Sequence, residues 1–186
     1  MKIVIGIGNP GKKYQDTRHN VGHRILDCLA ERLNVAFTKS KFSSLISETK
    51  VNDNGVVLMK PATYVNLTGA AVAEAVAFFN VPVGDILVVC DDMNLPLGRL
   101  RLRKSGSSGG HNGLNSVIER LGAKDFPRLR FGIDRPAHQM DPADYVLSRF
   151  GKGDAKTVQE AVDNAADAAL FWITDGIEAC MNKYNV

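Results

Sequence analysis

Short β-branched blocks stopped by glycine, proline or acidic residues alternate along this chain with longer stretches whose apolar residues recur every three or four positions. The first pattern predicts buried strands, the second amphipathic helices. Lys2-Ile3-Val4-Ile5-Gly6-Ile7-Gly8 is such a strand, and a polar loop follows from Asn9 to Asn20. From Val21 the residues Ile25, Leu26, Cys28, Leu29 and Leu33 mark one face, which predicts a helix over 21–34. Leu45 to Val51 and Val56 to Lys60 flank Asn52-Asp53-Asn54-Gly55, whose Asn-Gly ending signals a hairpin turn, and Pro61 closes the second strand. An alanine-rich helix over 67–80 ends before Val81-Pro82. Asp85 to Asp91 is a further buried strand, with carboxylates at the end where open α/β sheets bind ligands. Gly98-Arg99-Leu100-Arg101-Leu102-Arg103 alternates strictly, so its arginines share one face and its leucines the other. A Gly/Ser loop from Ser105 to Gly110 leads to a helix over 112–121, and Arg128 to Ile133 is the last strand. Asp141-Pro142 has the form of an N-cap followed by proline in the first turn, opening a short helix to about Arg149. A long helix over 154–174 is interrupted at Asp175-Gly176 before a short helical tail. Strands interleaved with helices, with no internal repeat, describe an α/β fold that forms a single domain over residues 1–186.

The 186 residues are 45% hydrophobic and 23% charged, enough apolar material for one domain with its own core. No apolar run approaches the roughly 18–20 residues that cross a bilayer, and the amino terminus lacks a signal-peptide layout, so a cytoplasmic location is expected. Cys28, Cys90 and Cys180 are odd in number and far apart, which argues against a disulfide framework and against a cysteine zinc site. The net charge of +3 conceals an uneven distribution. Residues 99–135 hold nine basic and three acidic side chains, whereas 139–186 hold four and eight. The basic segment is a candidate footprint for a polyanion.

Four patterns bear on chemistry. Gly6-Ile7-Gly8-Asn9-Pro10-Gly11 has the spacing of a dinucleotide fingerprint, but the helix that should begin within it starts about ten residues late. Gly106-Ser107-Ser108-Gly109-Gly110 has the spacing of a nucleophile elbow at Ser108, yet the strand before it alternates with arginine instead of being apolar. His19 and His23 stand four apart, as zinc-binding imidazoles do on a helix, but lack the accompanying glutamate, and no metal is expected. The fourth pattern is a set of polar residues at the ends of elements: Asn9, His19, Asn66, Asp91, His111 and Asn112. If they converge at one sheet edge, a histidine held in one tautomer by a carboxylate becomes a general base, with amides to position a carbonyl or a water. A serine esterase using Ser108 and a non-catalytic RNA- or nucleotide-binding module remain the alternatives.

At these residues the chain resembles bacterial-type peptidyl-tRNA hydrolases. The matching segments are Gly6 to Gly11 with Tyr14, Thr17 to Gly22, Lys60 to Gly69, Asp91 to Gly98, Gly109 to Leu114, and Leu129 to Ile133. The resemblance implies a compact fold with a mixed, largely parallel sheet sandwiched between helices. It implies hydrolysis of the ester joining a peptide to the terminal ribose of tRNA, with no metal or cofactor. In that family His19 would be the base that activates water and Asp91 its partner. Asn9 would recognise the blocked, peptidyl form of the substrate, and Asn66 and Asn112, with His111 beside them, would hold the peptide backbone and the water. Tyr14 and Tyr64 look like contacts to the tRNA end, and Arg101, Arg103 and Arg130 fall on tRNA-phosphate positions. The expected partner is tRNA, with no membrane, no obligatory protein partner and a monomeric state. Val65 stands where methionine is usual, and Asn94 where aspartate is common.

Overall fold

The computed structural model describes residues 1–136 and 140–185. Its strands β1 (Lys2–Gly6), β2 (Lys39–Lys41), β3 (Ser44–Val51), β4 (Asn54–Pro61), β5 (Ile86–Asp92), β6 (Leu100–Arg103) and β7 (Arg128–Gly132) make one sheet, ordered β2-β3-β4-β1-β5-β7-β6. The central strands β4, β1, β5 and β7 run parallel, and antiparallel pairs extend both edges. All seven residues of β5 are buried, which is why its first five, Ile86 to Cys90, read as an unbroken apolar run and not as an alternation.

Helices α1 (Val21–Arg32) and α5 (Ala155–Tyr184) cover one face around Leu87, Val89, Phe131 and Trp172. Helices α2 (Thr68–Phe79) and α3 (Asn112–Leu121) cover the other around Ile3, Ile5, Val88 and Phe126. Removing a side chain such as Phe131 fully from water stabilises the fold by about 2–3 kcal/mol. The chain leaves β1 over the α1 face toward β4 and returns over the α2 face to β5. Connections that diverge in this way open a crevice at the carboxyl ends of β1 and β5. A short helix, α4 (Pro142–Leu147), has no buried residue. Among the described residues no helix is long and apolar enough to cross a membrane.

Local chemistry explains where expectation and structure part. Val51 faces Asn54, so Asn52-Asp53 form the hairpin turn and Gly55 lies inside β4. Asn52 itself takes the left-handed conformation, φ 52, which asparagine tolerates, so the turn needs no glycine. Strand β2 is wholly exposed and has no apolar residue to announce it; pairing with β3 forms it. The last helix does break at Gly176, φ 82, and continues to Tyr184. The glycine run after β1 is explained by packing. A Cβ on Gly6 would lie 2.4 Å from the Gly22 carbonyl oxygen, and one on Gly22 would lie 2.5 Å from Ile7 O and 2.7 Å from Val89 O. These two glycines let α1 begin against the backbones of β1 and β5.

Candidate active site

His19 is the middle residue of a 3-10 turn, Arg18–Asn20, that runs directly into α1. Because Gly22 touches Val89, this turn is carried to the end of β5, and His19 Nδ1 lies 2.8 Å from Asp91 Oδ1. Asp91 is only 2% exposed, and the same oxygen also meets His111 Nε2 at 3.0 Å. His111 in turn caps α3, its Nδ1 accepting from the N–H groups of Gly113 and Leu114 at 3.1 and 3.2 Å. The cap requires a lone pair on Nδ1, so the neutral His111 ring carries its proton on Nε2 and donates it to Asp91. The carboxylate likewise holds the His19 proton on Nδ1, which leaves the His19 Nε2 lone pair free.

Electrostatics point the same way. Burial favours the neutral acid at Asp91, but His111 and His19 outweigh it and hold the carboxyl well below the usual carboxylate range. Burial also disfavours a charged His19, and the Asp91 carboxylate more than offsets this, making the imidazole more basic than ordinary histidine.

Around this pair lies a cleft of about 770 Å³ lined by Asn9, Tyr14, Tyr64, Asn66 and Asn112 among others. Asn9 is clamped by Asn20, whose amide accepts from the Asn9 N–H and donates to its carbonyl, both at 2.9 Å. Asn9 Oδ1 accepts the Val65 N–H at 3.0 Å, which fixes the side-chain amide and leaves its Nδ2 hydrogens for a ligand. Val65 thus serves Asn9 through its backbone, whatever its side chain. Asn66 lies in the turn that opens α2 and Asn112 is the first residue of α3. Both are exposed. Tyr64 is 54% exposed, and Lys13 sits over the Tyr14 ring at 4.6 Å. Asn94 accepts from Arg135 at 2.7 Å.

Strand register puts Arg101 beside Arg130 and Arg103 beside Arg128, with Leu100 and Leu102 buried on the opposite face. The arginines differ in surroundings. Arg103 is exposed, Arg101 half-buried, and Arg130 lines the cleft with its Nε 3.2 Å from Asp92 Oδ2, a charge contact more than an aligned hydrogen bond. Arg128 is 1% exposed and donates to the carbonyls of Gly106, Ser107, Lys124 and Phe126, pinning the Gly/Ser loop. In that loop the Ser108 hydroxyl has no hydrogen-bond partner among the described residues, and Asp91 already engages both imidazoles of the site.

His23 does not join His19. Its ring packs under Gly8, where a Cβ would lie 2.9 Å away, and burial, aided by Lys60, lowers its pKa to about 4. Donor atoms of His19, Asp91 and His111 do lie within 4.8 Å of one another. They are engaged in hydrogen bonds to one shared oxygen, and the remaining His111 nitrogen holds the α3 cap, so the set is closed on itself rather than open to a cation. Sequence reasoning overlooked Arg18, Asn20 and Arg128. Asn20, 3% exposed, had one signal: an amide directly before a helix, next to a candidate base.

The family described as Peptidyl-tRNA hydrolase matches residues 3–186. Peptidyl-tRNA hydrolase of Desulfitobacterium hafniense is 47% identical over 185 residues, covering 100% of both chains. That of Brevibacillus brevis is 44% identical over 185 residues, covering 100% of this chain and 98% of its own. Among solved structures, peptidyl-tRNA hydrolase from Acinetobacter baumannii matches with a TM-score of 0.93 at 28% identity, over 100% of this chain and 95% of that one.

Proposed function

The chain belongs to the peptidyl-tRNA hydrolase family, and from that premise we propose how it hydrolyses peptidyl-tRNA: His19 is the general base and Asp91 the residue that orients it. Nε2 of His19 removes a proton from a water, whose oxygen attacks the ester carbonyl carbon joining the peptide to the terminal ribose. The tetrahedral intermediate then expels the ribose oxygen, which takes the proton back from the imidazolium. Asp91 keeps the reactive nitrogen unprotonated beforehand and stabilises the imidazolium in between. Donors from Asn66 and Asn112 hold the peptide backbone and the water, and one of them meets the developing oxyanion. The Asn9 amide, with its oxygen committed to Val65, offers donors to a carbonyl of the blocked peptidyl group.

What carries this reading is the 2.8 Å contact between His19 and the ionised Asp91 in a cleft that Asn9, Asn66 and Asn112 also line. Tyr14 and Tyr64 stack on the tRNA end, and Arg101, Arg103 and Arg130 meet phosphates, contacts that hold a tRNA without reading its sequence. The enzyme acts in the cytoplasm as a monomer with no obligatory protein partner, a state that light scattering checks.

Turnover of N-acetyl-aminoacyl-tRNA tests the mechanism. His19→Ala should lower kcat by about 10²–10⁴, and Ser108→Ala should leave it intact. A His19→Ala chain with near-normal turnover refutes the assignment, and loss of activity in Ser108→Ala would favour the esterase alternative.

A further inference from the structure

The three residues of the turn that carries the base each hold a different wall of the cleft. His19 holds β5 through Asp91, and Asn20 holds the Asn9 loop. Arg18 reaches the other way, to the segment around α4. Its Nη1 donates to Ser148 Oγ at 2.6 Å and to the Arg149 carbonyl at 2.5 Å, and its guanidinium lies over the rings of Tyr145 and Phe150 at 4.3 and 5.3 Å. The Arg18 N–H also donates to Ser148 O at 3.0 Å, and Thr17 bridges to Arg149.

Helix α4 needs such fastening. Pro142, Ala143, Val146 and Leu147 line the cleft, and no residue of α4 is fully buried; only its Tyr145 and Val146 pack, partly buried, against the core, so apolar packing by itself holds the helix weakly. Tyr145 Oη adds a tie by donating to Ile133 O at 2.6 Å, and Asp16 lies 3.7 Å from Arg149 in an exposed ion contact. We propose that Arg18 is a positioning residue: it sets the distance between the α4 wall and His19, and so the width of the cleft beside the base. This rests on the reading of His19 as that base. A guanidinium suits the task because a planar fork can donate to two oxygens while its face stacks on aromatic rings, whereas an ammonium cannot do both.

The test is steady-state hydrolysis of N-acetyl-aminoacyl-tRNA by the full chain, by Arg18→Ala and by Arg18→Lys, with amide hydrogen exchange of residues 142–148 in the same proteins. Arg18→Ala should raise KM about tenfold through the lost charge-assisted hydrogen bond and cation–π contacts, and change kcat less. The acid limb of kcat, which reports on His19, should stay in place. Exchange over 142–148 should quicken about tenfold while β5 keeps its protection, a split that general destabilisation does not produce. Arg18→Lys should behave more like alanine than arginine, and it carries the test alone if the alanine variant does not fold. Unchanged KM and unchanged exchange in the folded variants overturn the proposal. So does a salt-dependence slope lowered by about one, which would make Arg18 a phosphate contact instead. A His19→Ala chain that keeps its turnover would strike at the base while leaving the exchange result to judge Arg18.

Discussion

Replacing Asp91 with asparagine removes a charge while keeping the shape. Both imidazoles meet Oδ1, at 2.8 and 3.0 Å, so the new amide should settle with its oxygen there and its Nδ2 in the place of Oδ2. The tautomers of His19 and His111 then survive, and α3 keeps its cap. What disappears is the carboxylate that makes His19 unusually basic and that faces the imidazolium formed when water loses its proton. A hydrogen bond to a charged group contributes about 1.5–3 kcal/mol, and a unit charge roughly 4 Å away about 4 kcal/mol at the effective dielectric near a protein surface. A loss of about 3 kcal/mol lowers kcat roughly a hundredfold, while KM, which the proposed reading assigns to the amides, tyrosines and arginines, should move less than about threefold. The pH profile supplies a second reading. Without the carboxylate only burial acts on His19, and burial lowers its pKa. The acid limb, where activity falls as His19 takes up a proton, should therefore shift to lower pH. The assay is hydrolysis of N-acetyl-aminoacyl-tRNA across about pH 5 to 8. A kcat within about threefold of the unaltered chain, or an acid limb displaced to higher pH, refutes the reasoning; a fall near 10⁴ would mean that the amide has flipped and imposed the wrong tautomer.

Gly22→Ala would press a methyl group to 2.5 Å from Ile7 O, costing about 2–3 kcal/mol and about 5–10 °C in Tm, and kcat should fall further than the folded fraction because His19 moves from Asp91; a Tm within about 2 °C of the unaltered chain contradicts this. His23 titrates near 4 when folded and near 6.5 when unfolded, so the unfolded state binds the extra proton between those values and stability falls as pH drops from 6.5 toward 4. His23→Phe should flatten that limb in denaturant titrations, and a limb of unchanged slope would mean that water reaches the ring. Arg103→Ala should lower the salt-dependence slope of substrate binding by about 0.7–0.9 and leave Tm alone. Arg128→Met should do the reverse, losing about 3 kcal/mol of stability as the Gly/Ser loop comes free, with calorimetry as the check.

The arginines also mark how far the sequence could be read. Alternation over Gly98 to Arg103 identified the two faces of β6 correctly, because one side of that strand packs on Leu129 and Phe131. Asn9 and Asp91 were legible together because the parallel strands β1 and β5 deliver their carboxyl ends to a single crevice, whereas His111 and Asn112 reach it from the start of α3, after the antiparallel strand β6. Arg18 was not legible, since its partners lie about 130 positions along the chain and no local pattern encodes them. Periodicity reports which face a side chain occupies, never what later covers that face. Arg103 and Arg128 are register neighbours on the same side of the sheet, yet Arg103 sits on the edge strand in water while Arg128, one strand inward, is closed over by a loop it anchors. The basic segment therefore overstates the footprint available to a polyanion. Arg128 is buried among carbonyls and Arg130 is opposed by Asp92, which leaves Arg101 and Arg103 as the charges among these four that no carboxylate offsets among the described residues. A phosphate approaching Arg130 would have to compete with Asp92, so the proposed tRNA contact there is weaker than the position of Arg130 on the strand suggests.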